Sequence, residues 1–246
     1  MNDTLDTLNQ TYFDSNLDTN FNTAIKMCQN NYQYNELINF LNSEKIIEKQ
    51  IAILALNKIQ SKNDALTLVS NLVGQDGKIR EAVAFKINEL VKDPNSSHFF
   101  INEKVFDIFL QGIMDINGNV CRQIINLEGK CEINERFNKY LCKKLPESIR
   151  KILNEINTFE KKHKQYKINK RNFQLYWCLE ALYNIIDVID FSTIKEILFI
   201  TGKFYDYTIR EKTAKILAKI DNSEIDDLKG KLRNDENYYV RKYMCP

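Results

Sequence analysis

The chain has 246 residues, 43% of them hydrophobic, enough to bury a continuous core in one elongated array or two compact domains. Only 7 Gly and 3 Pro occur, beside plentiful Lys, Glu, Leu, Ile and Asn, which argues against a strand-and-turn fold and for helices joined by short polar turns. The net charge of +2 conceals an asymmetry, since residues 1–48 hold seven acids against two lysines while residues 139–171 hold eleven bases against three acids.

In chain order, residues 1–20 carry four Asp and no base, so a signal peptide is not expected; the segment reads as a polar lead-in or cap. No apolar run reaches 18 residues, so no membrane span is expected and the chain is assigned to the cytoplasm. From residue 21 to 246 the pattern predicts a single all-α array of six helix pairs, about 12 to 14 helices in all, stacked with right-handed curvature. The second helix of each pair opens near Ile47, Ile79, Val120, Phe173, Ile209 and Val240. The first helices run over Glu36 to Leu41, Ala65 to Val73, Glu103 to Ile116, Glu147 to Phe159, Ile194 to Gly202 and Ile225 to Leu232. Asp93-Pro94 marks a helix boundary, and residues 160–171 form a basic insertion, either a loop or a solvated helix extension.

One phrase recurs where second helices begin: Asp76, Ile79, Arg80 in one place and Asp206, Ile209, Arg210 in another, with Asn237, Val240, Arg241 and Val120, Arg122 in similar frames. Asp or Asn four residues before the arginine is placed to cap the free N–H groups of the new helix. Apolar residues three and four apart, such as Ile79, Val83, Ile87 and Leu90, make one inward face, and Ala52, Ala84 and Ala214 are small enough for helices to cross there.

This phrase, with an apolar first helix before it, resembles the HEAT-repeat family in its short bacterial form; it is weak at Glu48 and Gln174, which replace the arginine. The resemblance implies an α-solenoid with second helices lining one face. It also implies a scaffold, as most members are, although some bind nucleic acid or act on tetrapyrrole-bearing proteins or alkylated DNA.

Two sets of residues are candidate contacts. Arg80, Arg122, Gln174, Arg210 and Arg241 would line the concave face, either to meet a partner or to pair with an Asp or carbonyl of an adjacent repeat. Lys161, Lys162, Lys164, Lys167, Lys170 and Arg171, with Tyr166 among them, would grip phosphates or simply solvate a long turn. Trp177, the single tryptophan, is either a stacking platform or an inward core aromatic; its near acid is Glu180, not the Asp that a glycosylase of this kind would use. Six cysteines without a C-x-x-C pair read for the most part as buried thiols, and with only two histidines, His98 and His163, both in polar turns, a His-dependent triad or multi-His metal site is hard to build. No catalytic residue, metal or cofactor is therefore expected. The expected function is a non-enzymatic adaptor that binds another protein on its concave face; the alternatives are nucleic-acid binding through residues 161–171, and an accessory or lyase-type role toward a tetrapyrrole-carrying protein.

Overall fold

The structure, a computed structural model, describes residues 17–127 and 132–244; Cys131 and Cys245 lie outside them, as does most of the expected lead-in. Among the described residues every regular element is helical. They are α1 (Leu17–Met27), α2 (Tyr34–Leu41), α3 (Ile46–Ala55), α4 (Lys62–Ser70), α5 (Gly77–Leu90), α6 (Pro94–Ser97), α7 (Glu103–Ile113), α8 (Gly118–Ile125), α9 (Glu132–Glu160), α10 (Gln165–Asn184), α11 (Phe191–Thr201), α12 (Tyr207–Leu217), α13 (Asp226–Arg233) and α14 (Tyr238–Arg241), with 3-10 turns at His98–Phe100 and Ser223–Ile225. No helix among the described residues is long and apolar enough to cross a membrane.

Helix starts are set by short oxygen-bearing side chains that accept otherwise unpaired N–H groups. Asp76, Asp206 and Asn237 accept from the backbone N–H of Lys78, Thr208 and Tyr239, and Ser61, Asp93 and Asp190 do the same for α4, α6 and α11. After α9 the chain turns at His163, whose φ of 50° is left-handed, and the Lys164 N–H reaches back to the Phe159 carbonyl at 3.1 Å.

The chain forms two compact units, Met1–Gly112 with Asn126–Asn134, and Ile113–Ile125 with Glu135–Pro246. In the first, α2 packs on α3 and α4 on α5 as pairs, and α1, α3 and α5 lie in sequence against one another. Ile47, Ile51, Ala52, Val83, Ala84 and Ile87 are buried between them. Lys49 is also buried. Its ammonium donates to the Leu41 carbonyl (3.1 Å) and the Asn71 amide oxygen (2.8 Å), while Asn71 donates to the same Leu41 carbonyl (3.2 Å). The cation thus sits where α2 and α4 end, which suits the negative ends of their dipoles, and burial holds its pKa below the usual lysine value.

In the second unit α8, α10, α12 and α14 form a row, each touching the next, with α11 and α13 paired to α12 and α14. The long α9 is tied to α10 by Arg171 on Glu155 (2.5 Å) and to α11 by Arg150 on the Thr193 carbonyl (2.6 Å). Gly202 closes α11 where a Cβ would stand 2.9 Å from the Leu198 carbonyl oxygen and 3.0 Å from Leu228 of α13, so a larger residue there would force a shift.

Three boundaries differ from the expectation. Helix α1 already begins at Leu17, inside the segment read as a lead-in. Helix α9 runs unbroken from Glu132 through Pro146, because a proline removes one internal hydrogen bond but does not end a helix that packing holds on both sides. Helix α10 starts at Gln165, so Phe173 lies well inside it and only residues 161–164 of the basic segment are outside a helix.

Ala84 is completely buried. Ala84→Leu is expected to overpack the α5 contacts and lower stability by about 1–3 kcal/mol, read as a reduced urea midpoint; an unchanged midpoint would mean that the position has room.

Candidate functional site

The recurring arginines are consumed largely inside the fold. Arg210 Nη1 donates to the carbonyls of Phe204 (2.8 Å) and Tyr205 (2.9 Å), six and five residues earlier, and Arg241 Nη1 repeats this on Asp235 (2.6 Å) and Glu236 (2.7 Å). Arg80 makes the corresponding bond to the Gln75 carbonyl at 2.5 Å. Each arginine therefore closes the turn that leads into its own helix, satisfying carbonyls left over from the preceding segment. Arg210 also grips the next turn, with Nε and Nη2 on the two carboxylate oxygens of Asp235 at 2.7 and 3.1 Å. The hydrogen bond from Arg210 holds the Asp235 carboxyl below the usual range against the opposing effect of burial.

Gln174 is only 7% exposed and has both ends of its amide engaged, donating to the Met114 carbonyl and accepting from Arg171, each at 2.5 Å. It anchors the turn before α8 to α10 and is not displayed on the surface. Arg122 is different. It is exposed, donates to Asn119 at 3.2 Å, and stands 5.9 Å above the Trp177 ring. The basic residues Lys161, Lys162, Lys164, Lys167 and Lys170 are all exposed, whereas Arg171 is half-buried on Glu155 and Gln174.

The concave feature nearest these groups is a groove of about 470 Å³ between α10 and the start of α12, lined by Asn169, Asn172, Phe173, Tyr176, Trp177, Asp206 and Thr208. Helical spacing puts Asn169, Asn172, Phe173 and Tyr176 on one side of α10, and the capped N-terminus of α12 forms the other wall. Trp177 packs edge-on against Phe173 and Tyr176, at 6.3 and 5.4 Å between centroids. It is also backed by Gly118, where any side chain would come within 3.2 Å of the indole. Asn172 donates to the Tyr205 hydroxyl at 2.6 Å. Its own carbonyl oxygen and the Trp177 indole N–H are buried and find no hydrogen-bond partner among the described residues.

One carboxylate, Glu180, organises the cations beside the groove. Glu180 takes Lys212 at 2.5 Å and Lys215 at 2.9 Å, and the Lys212 ammonium also lies 4.4 Å from the Tyr176 ring centre. Burial alone would raise the Glu180 carboxyl, but the two lysines outweigh it and hold it below the usual range. Cys121 and Cys178 have no comparable activation. Burial pushes Cys121 up to about 12 and Cys178 also upward, so both stay protonated and inert. No group of His, Cys, Asp and Glu suited to a metal ion occurs among the described residues.

The basic segment and Trp177 were legible in the sequence, and the structure joins them along α10. The amide pair Asn169 and Asn172, the wall residue Thr208 and Tyr205, which bonds Asn172, were not singled out. Their signal lies in the phrase itself, because Phe204-Tyr205-Asp206-Tyr207 loads aromatics onto the turn that opens α12. Comparison with models of known protein families, with curated proteins and with solved structures found no match to this chain.

Arg210→Ala removes the two hydrogen bonds to Asp235, which keeps the Asn237 N–H, and is expected to cost about 1.5–3 kcal/mol in urea unfolding. The folded carboxyl lies below its unfolded value, so this contribution is complete above about pH 4 and disappears as the pH falls through the lower folded value. Wild-type stability should therefore fall more steeply on acidification than that of Asp235→Asn, and parallel acid limbs would contradict the assignment.

Proposed function

We propose that this chain is a non-enzymatic binding protein, a stack of HEAT-like helix pairs in which the second-helix face of the second unit receives an extended anionic partner. The observation that carries this reading is the alternation of cations and aromatic rings along that face. Arg122 lies over Trp177, Lys212 over Tyr176, Lys215 and Lys219 over Tyr183 at 4.0 and 4.1 Å, and Lys242 over Tyr239 at 4.9 Å. These five cations outnumber their carboxylate partners Glu180, Asp187 and Glu211.

A lysine held over a ring is ordered before binding, so less side-chain entropy is lost when an anion arrives. Protonated, buried thiols and the internal use of Arg80, Arg210 and Arg241 support binding over catalysis. The adaptor reading thus moves from the arginines to the rings and lysines beside them. The tetrapyrrole alternative rests on the family resemblance alone, and no contact favours it.

Retention on immobilised heparin tests this reading. Lys215→Glu with Lys219→Glu should elute at clearly lower salt than Lys161→Glu with Lys162→Glu, which changes net charge equally at the exposed turn. Equal elution of the two, or no retention of the wild type at about 50 mM salt, would overturn the face as the docking surface.

A further inference from the structure

We propose that the anionic partner is a single-stranded nucleic acid, with one base stacked on the exposed ring of Phe173, edge-on to Trp177, and the adjoining phosphates on Arg122 and Lys170. This rests on the binding reading above and adds the chemical class of the partner.

The groove separates two kinds of contact that a nucleotide also separates. Its interior is aromatic and amide-lined and includes the Asp206 carboxylate, which is tied into the α12 cap by the Thr208 backbone N–H (2.9 Å) and hydroxyl (2.8 Å). A phosphate is repelled there, whereas the exocyclic amino group or ring N–H of a base is accepted. The cations stand at the edges: Arg122 is exposed beside Trp177, and Lys170 is exposed on α10 three residues before Phe173. Phe173 keeps 38% of its surface free, so part of its ring remains to take a base.

The buried polar atoms fit the same occupant. The indole N–H of Trp177 and the amide oxygen of Asn172 are a donor and an acceptor left unsatisfied just beneath the groove lining, and a side-chain shift that uncovers them would meet both complements on the edge of a base. An acidic peptide would use the cations, and its backbone N–H and C=O groups could meet this pair, but its carboxylate side chains would leave the ring face unstacked. A duplex keeps its bases stacked and presents only phosphates. The groove volume of about 470 Å³ falls in the range of roughly 300–1,000 Å³ typical of small-ligand clefts, a scale suited to one extruded nucleotide.

Trp177 is the only tryptophan, so its emission reports this groove alone. Titration with single-stranded dT12 and rU12 should quench it saturably, with an affinity that falls with salt at a log–log slope of about −0.7 per phosphate contact. Phe173→Ala, at a part-exposed ring, should weaken binding about five- to hundredfold with an unchanged melting temperature, and Lys170→Gln should reduce the slope by about 0.7. Should Phe173→Ala perturb the fold, Phe173→Leu and Lys170→Gln read the same two contacts. Heparin, polyglutamate and a 12-base-pair duplex serve as comparisons. If they bind as tightly as the single strands, or the single strands bind without changing Trp177 emission, the nucleic-acid assignment falls while the anionic face stands. If none of the probes binds at low salt, both fall.

Discussion

Each helix pair must reverse the chain within a few residues, and that turn leaves carbonyl oxygens that neither helix can satisfy. The arginine at the start of the second helix resolves this by folding back onto carbonyls five or six positions earlier, as at Arg210 and Arg241, and five earlier at Arg80. With Asp or Asn capping the N-terminal N–H groups on the other side of the same turn, both orphan sets are matched by two residues four apart. At Arg210 the same guanidinium continues to Asp235, so one side chain closes its own turn and holds the next. The order of α12 and α14, and with it the face they share with α10, depends on that contact.

This device explains what was legible beforehand. The Asp-to-Arg spacing and the apolar stripe are local and periodic, so the helix starts at Gly77 and Tyr207 and the burial of Ala52, Ala84 and Ala214 follow from sequence. Where the arginine is absent the reading slipped. Gln174 sits in the middle of α10 and bonds the Met114 carbonyl 60 residues away, and no local spacing announces a partner at that distance. The basic segment reads as an insertion, either a loop or a solvated helix extension, and the structure makes Lys167, Lys170 and Arg171 part of the first turns of α10, where Ile168 and Asn172 supply the buried side.

The site was legible in its ingredients and not in its assembly. Trp177 and the lysines stood out by type, but the groove needs Asp206 and Thr208 from a helix start more than thirty residues later, brought opposite α10 by the packing of α12. That packing is what converts an aromatic cluster from pure core into a surface. Phe173 and Tyr205 lie on the exposed side of the same contacts that bury Leu175 and Ile209. Glu180 contributes by holding Lys212 and Lys215 in place, which fixes the cationic wall without leaving it neutral.

The most direct test of a base-stacking groove is the indole N–H of Trp177, which gives a single resonance in a ¹⁵N-labelled sample because the chain has one tryptophan. With rU12 added at low salt, that resonance should move progressively and saturate with the binding curve, and heparin at matched charge, which reaches only the Arg122 edge of the groove, should move it far less. An indole resonance that stays fixed while rU12 binds would contradict the account.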